Sequence, residues 1–257
     1  MTRAPLFYVG LHQPSDAGRF DRACVSINRL RGRRKPLGCS DVLVDSGAFT
    51  ELALHGRYRV GVEEYASELR RLHEAGIVRI SAAVAQDFMC EPFMLAKTGL
   101  TVEEHQQLTI ERYDALLACG LPFPTMPVLQ GYAPGDYVRH LEAYGDRLAP
   151  GMWIGVGSVC KRNGSPEKVV EVLDAIHRAR PDFRLHGFGV KLTSLEHPGV
   201  RELLFSADSM AWSFSARKQG RDANSWREAK AFADRVASKA RRAFEAWQPS
   251  LPLMRAA

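Results

Sequence analysis

Cysteine is scarce in this 257-residue sequence: Cys24, Cys39, Cys90, Cys119 and Cys160 are odd in number, scattered, and never spaced as CxxC or grouped with histidines. That pattern argues against a disulfide framework and a zinc site of recognisable spacing, so reduced and mostly buried thiols are expected, with no metal and no cofactor. No run of about 18 apolar residues occurs, and the opening Met1-Thr2-Arg3-Ala4-Pro5-Leu6-Phe7-Tyr8 lacks the apolar stretch and cleavage site of a signal peptide. A cytoplasmic protein is therefore expected. Internal repeats, low-complexity tracts and linkers are missing too, so residues 1–257 are expected to form one domain.

What is present is an ordinary globular composition, 46% hydrophobic and 25% charged, with a formal charge of +6. The basic excess gathers in Arg29-Leu30-Arg31-Gly32-Arg33-Arg34-Lys35, in Arg217-Lys218-Gln219-Gly220-Arg221, and along the last helical segment at Arg227, Lys230, Arg235, Lys239, Arg241 and Arg242. Such runs are either solvated faces or an electrostatic footprint on nucleic acid.

Short apolar runs alternate with longer stretches of helical period, the rhythm of a parallel sheet with crossover helices. Eight runs stand out: Leu6 to Leu11, Cys24 to Ile27, Val42 to Val44, Ile80 to Ala85, Thr125 to Leu129, Trp153 to Val156, Leu185 to Val190 and Phe205 to Met210. Between them, Val62, Tyr65, Leu69 and Leu72 recur at helical spacing, Thr101 with Glu104 reads as a capping box, and Ser165-Pro166 reads as a helix start. Eight strands favour an α/β fold of the (β/α)8, TIM-like barrel type over an open sheet. The links after the first two runs are too short for full helices, so irregular early βα units are expected. A basic amphipathic helix, Trp226 to Trp247, with Ala229, Phe232, Val236, Ala240 and Phe244 on its apolar side, closes the chain.

In such a barrel, function sits where strands end. The ends here are polar and glycine-rich: Asp45-Ser46-Gly47-Ala48-Phe49, Gln86-Asp87, Gln130-Gly131-Tyr132, Gly155-Val156-Gly157-Ser158, Gly187-Phe188-Gly189-Val190-Lys191 and Asp208-Ser209-Met210-Ala211-Trp212-Ser213. Each alone fits a helix cap or a tight turn as well as a site. Together they bring Asp45, Asp87 and Asp208 to one mouth, where repulsion and burial raise at least one pKa and separate their roles. A metal-dependent hydrolase using these carboxylates and a silent nucleic-acid-binding barrel are the competing readings. No HxH pair or dense Asp/Glu/His set supports the first.

These residues carry a resemblance. Asp45-Ser46-Gly47-Ala48-Phe49, Asp87 with Cys90-Glu91-Pro92, Val128-Leu129-Gln130-Gly131, Ile154-Gly155-Val156-Gly157 and Ser206-Ala207-Asp208-Ser209-Met210 resemble, in order and spacing, the signature elements of the tRNA-guanine transglycosylase superfamily. The resemblance covers Asp45 to Trp212. It implies that Asp208 is the nucleophile and Asp45 the proton shuttle, with Asp87, Gln130, Gly155, Val156, Gly157, Ser46, Phe49 and Gly189 around the base. Phe49, Tyr132 or Met210 would stack on it.

The departures narrow the choice. The superfamily's tRNA enzymes carry a C-terminal zinc site, whereas no cysteine follows Cys160 here, and no RNA-binding domain is appended. The chain is more similar to the phage and bacterial enzymes that place 7-deazaguanines in DNA, which share patterns like Val25-Ser26-Ile27-Asn28-Arg29-Leu30 and His186-Gly187-Phe188-Gly189. DNA and a free 7-deazaguanine base are thus the implied partners, with tRNA as the alternative, and a phage-encoded copy would work in the host cytoplasm. Related tRNA enzymes are homodimers through parts missing here, which leaves a homodimer open. Arg162, Lys191, Arg217, Lys218 and Arg221 are candidates for the nucleic-acid backbone, against the plainer readings of a solvated turn and a snorkelling lysine. His186 reads as a core histidine and Trp212 as either a wedge or packing.

Overall fold

A computed structural model describes residues 5–247 apart from Asn163; side chains of Lys161 and of residues 240–247 are also outside the description. Nine parallel strands form one sheet: β1 (Leu6–Gly10), β2 (Arg22–Ser26), β3 (Asp41–Asp45), β4 (Ile80–Val84), β5 (Thr125–Met126), β6 (Val128–Leu129), β7 (Trp153–Val156), β8 (Arg184–Gly187) and β9 (Ser206–Ser209). Their order is β5-β4-β3-β2-β1-β9-β8-β7-β6. The two ends of that order are joined through Pro127 alone, so the sheet comes round into a TIM-like α/β barrel.

The count of eight expected runs differs from nine because Thr125 to Leu129 is interrupted. The carbonyls of Pro124 and Met126 accept from Ala83 and Ala85, while those of Pro127 and Leu129 accept from Gly155 and Gly157, at 2.9 to 3.0 Å. Pro127 has no N–H to return to β7, and the ladder breaks there. The remaining strands match the expected runs to within a few residues.

Side chains alternate across each strand. Outward-facing Val9, Val25, Val42, Val44, Ile154, Val156, Leu185 and Ala207 share one buried core with Leu69, Leu72, Leu116, Tyr137, Val169 and Leu173 of the surrounding helices. Inward-facing Tyr8, Cys24, Leu43, Ala82, Val84, Met126 and Val128 fill the barrel with Leu6, Trp153 and Phe188. At the end where strands start, Asp41 accepts from Tyr8 at 2.9 Å and Ser81 at 2.6 Å and pairs with Arg22 at 3.0 Å, fastening four strands away from any catalytic face.

The early links are irregular as expected: a 3-10 turn, Pro14–Arg19, joins β1 to β2, and a single helical turn, Ile27–Leu30, follows β2. The helix Val62–Glu74 buries Val62, Tyr65, Leu69 and Leu72, each of the leucines worth about 1.5–3 kcal/mol. Thr101 forms the full capping box of the helix Val102–Ala118. Ser165 precedes Pro166–Ala179 but does not cap it; its hydroxyl meets Glu167 at 3.0 Å instead. The helix Trp226–Trp247 buries Ala229 and Phe232 against the barrel and exposes Arg227, Lys230, Arg235 and Lys239. The side chains of Ala240, Arg241, Arg242 and Phe244 lie outside the described residues. No helix among the described residues is long and apolar enough to cross a membrane.

Candidate active site

The C-terminal ends of the strands carry the polar residues, and the local backbone explains how each is held. Asp45 ends β3, and its Oδ2 accepts the Gly47 N–H at 3.0 Å. Gly47 has φ of 79° and starts the helix Ala48–His55. A Cβ there would stand 2.4 Å from Asn28 Nδ2 and would sit in the left-handed region, so only glycine makes this turn. Ser46, buried, donates to Asp87 Oδ1 at 3.1 Å and lies 3.3 Å from the Tyr58 hydroxyl.

Asp87 lies just past β4 and is almost fully buried. Gln130, following β6 and fully buried, donates its Nε2 to Asp87 Oδ2 at 2.5 Å and accepts the Ser158 hydroxyl on Oε1 at 2.9 Å. Its backbone N–H goes to His140 and its carbonyl accepts from Gln106. Ser158 has φ of 58°, the only left-handed non-glycine conformation among the described residues, and its Oγ also receives the Cys90 N–H at 3.2 Å. A left-handed serine persists only where its surroundings hold it, and here they aim one hydroxyl at one amide. Gly157 allows this network to exist: a Cβ on it would come within 2.1 Å of Gln130 Nε2. Gly155 faces inward against the Phe188 ring. Val156 turns its side chain outward into the helix-side core, leaving only its backbone toward the barrel.

Asp208 lies in β9 between β1 and β8, largely buried. Its Oδ1 accepts the Gly189 N–H at 2.9 Å and faces His186 Nε2 at 3.4 Å. Gly189, at φ of 63°, therefore gives its N–H to this carboxylate. His186 is fully buried and lies 2.9 Å from the Ser206 hydroxyl.

The three carboxylates feel one another. Burial raises Asp45 to about 6, opposed by the Gly47 N–H and reinforced by the charge of Asp208. Burial also raises Asp87 to about 7, with the Asp45 charge adding and the Gln130 and Ser46 donors opposing. Cys24, buried inside the barrel, has its thiol pushed up by burial and by Asp208 and Asp45. Two carboxyls that exchange protons near neutrality beside a third suit acid–base work flanking a nucleophile. No group of three or more His, Cys, Asp or Glu among the described residues is placed to hold a metal ion.

Around this centre the rim is aromatic and basic. Phe49 is 51% exposed and meets exposed Phe93 edge-on at 6.3 Å, while Tyr132, 45% exposed, lies under the Arg162 guanidinium at 4.6 Å. Buried Nε and Nη2 of Arg162 have no hydrogen-bond partner among the described residues. Arg217 and Lys218 are exposed, with Lys218 over the Phe214 ring at 4.8 Å; Lys191 is exposed at the start of the turn Leu192–Glu196. Arg221 pairs with Glu228. Met210 packs on Gly10, and Trp212 is buried with its indole N–H on the Gly10 carbonyl at 2.9 Å, a packing residue rather than a wedge. Tyr58, Ser158 and Gln106 belong to the site's hydrogen-bond network without having been singled out in the sequence. For Ser158 the signal was its position directly after Gly155-Val156-Gly157; Tyr58 and Gln106 reach in from a loop and a helix and carry no strand-end mark.

No curated protein matches the chain. The family model described as DeoxyPurine in DNA protein A (DpdA) matches residues 4–256, and the chain belongs to that family, a DNA-modifying transglycosylase.

Proposed function

We propose that the chain exchanges guanine in DNA for a 7-deazaguanine base, such as 7-cyano-7-deazaguanine, through a covalent ester between Asp208 and C1′ of the target nucleotide. The observation that carries this reading is the meeting of Asp45, raised to about 6, and Asp87, raised to about 7, with Asp208 at one barrel mouth. Asp208 attacks C1′ as the C1′–N9 bond breaks, and the departing guanine takes a proton from Asp45. The incoming base returns a proton to Asp45 and displaces the aspartyl ester. Neither half needs an external acid or base.

Asp87, when ionised, accepts the N1–H and exocyclic amine of guanine, with its own geometry set by Ser46 and Gln130. The backbone of Gly155, Val156 and Gly157 and the ring of Phe49 bound the space where the purine sits. To reach it the nucleotide must leave its stack. Arg162, Lys191, Arg217 and Lys218 on the rim suit the phosphates on either side, whereas Arg221 serves them only by giving up Glu228.

The test is incubation with guanine-containing duplex DNA, and separately with tRNA, plus 7-cyano-7-deazaguanine, followed by nucleoside mass spectrometry with an Asp208→Ala control. Incorporation into DNA that vanishes in the control supports the reading. Incorporation into tRNA alone overturns the choice of polymer, and none into either with any 7-deazaguanine base overturns the exchange.

A further inference from the structure

We infer that His186 is a positioning residue for the nucleophile and fixes which oxygen of Asp208 attacks; this rests on the exchange reading above. His186 and Ser206 are register partners in β8 and β9, and both are fully buried. The Trp153 indole nitrogen can only donate, so the Ser206 hydroxyl oxygen accepts from it at 2.7 Å. The same oxygen lies 2.9 Å from His186 Nδ1. The hydroxyl has no other acceptor for its own hydrogen among the described residues, so it sends that hydrogen to Nδ1. An imidazole carrying a single proton then carries it on Nε2.

That nitrogen faces Asp208 Oδ1 at 3.4 Å. A lone pair in its place would oppose the carboxylate, which is a second and independent reason for an N–H there. The contact is longer than a formed hydrogen bond, and Nε2 has no hydrogen-bond partner among the described residues. The Gly189 N–H reaches the same Oδ1 at 2.9 Å. Both donors therefore act on Oδ1, and Oδ2 has no hydrogen bond among the described residues. Trp153, Ser206 and His186 form a stack inside the barrel whose last member holds the nucleophile from behind.

Oδ2 is thus the oxygen that bonds to C1′. Its lone pair forms the C1′–O bond, the C1′–N9 pair leaves with the guanine, and N9 takes the proton carried by Asp45. In the second half the incoming base gives its N9 proton to Asp45 and bonds to C1′, and the C1′–Oδ2 pair returns to Asp208. The N–H groups on Oδ1 receive part of the returning charge.

The test compares kcat and KM for base exchange in wild type, His186→Phe, His186→Gln and Ser206→Ala, with melting curves and calorimetric guanine affinity for each. His186→Phe should lose about 10²-fold in kcat with KM for the base unchanged, because misplacing a reacting group costs about that much. His186→Gln, which returns an N–H donor, should recover to within about tenfold of wild type, and Ser206→Ala should lose about five- to tenfold, the value of one hydrogen bond of about 1 kcal/mol. Equal losses in the Phe and Gln variants, or a loss confined to KM, would overturn the inference. Should the Phe variant fail to fold, wild-type kcat in Ser206→Ala overturns it as well. Wild-type protein that exchanges no base at all instead sinks the exchange reading.

Discussion

The amide of Gln130 donates to the carboxylate of Asp87 at 2.5 Å, so the residue expected to read a base is already engaged by its neighbour. Its second job is to hold Asp87 still, and Ser158 sets which way round the amide lies. Removing the hydroxyl should let the amide turn. Ser158→Gly keeps the left-handed backbone and deletes only the hydroxyl, so it should weaken guanine binding about tenfold by calorimetry with little change in melting temperature. Ser158→Ala should weaken binding equally but be less stable than Ser158→Gly by about 1 kcal/mol, since alanine, like the serine it replaces, is strained at φ of 58° and glycine is not.

Base binding should follow the ionisation of Asp87. A carboxyl raised to about 7 is mostly protonated at pH 6 and mostly charged at pH 8, and only the charged form accepts both guanine donors. Guanine affinity should therefore be about five- to tenfold weaker at pH 6 than at pH 8, and Asp87→Asn should be weak and insensitive to pH across that range. Calorimetry at the two pH values decides it. An affinity that strengthens toward pH 6 in wild type would assign the reading to a different group.

Asp45 places a cost on the fold. In the unfolded chain it ionises near pH 4, in the native chain near pH 6, so stability is highest where both forms are protonated and falls as pH rises across that window. Asp45→Asn keeps an acceptor for the Gly47 N–H and removes the charge. It should be more stable than wild type by about 3 kcal/mol at pH 8 and nearly equal to it at pH 3.5, while losing exchange activity. Denaturant melts at the two pH values check the sign.

Gly157 is the position where the smallest addition does the most. A methyl group there would overlap Gln130 Nε2 at 2.1 Å and drive the amide off Asp87. Gly157→Ala should fold and retain DNA binding but lose at least about 10²-fold in exchange rate. Retention of activity would mean that the Asp87–Gln130 contact is dispensable.

On the rim, the salt dependence of DNA binding separates phosphate contacts from bystanders. Arg217→Ala and Lys218→Ala should each lower the slope of log affinity against log salt by about 1, whereas Arg221→Ala should change it little because its guanidinium already faces Glu228. Filter binding across a salt series measures all three.

The barrel was legible in the sequence because its period is: strands short and apolar, helices amphipathic, polar residues gathered at one set of ends. Asp45, Asp87 and Asp208 stand out for that reason alone. Pro127 was visible too, but what it does to the ladder depends on which neighbour its missing N–H would have faced. Tyr58 was not legible, and Ser158 was legible only as the residue after a strand end, since their importance comes from a loop reaching across the mouth and a left-handed dihedral. Val156 shows the limit from the other side: its neighbours Gly155 and Gly157 face the barrel, and strict alternation sends its side chain away from it. His186 read as a core residue, and it is one, yet the core it belongs to ends at a carboxylate.

The strand that carries Asp208 has a place in the order of assembly as well as in the mouth. β9 pairs with β1, from Leu6 against Ser206 to Val9 against Ser209, so the ring shuts only when the two distant parts of the chain meet. Contacts of such long range form late. Until then Asp208 has no neighbours to oppose and Asp45 no reason to keep its proton. A nascent or half-folded chain thus carries every reactive residue and none of the reactivity, and catalysis itself becomes the most stringent report that the last stave is in place.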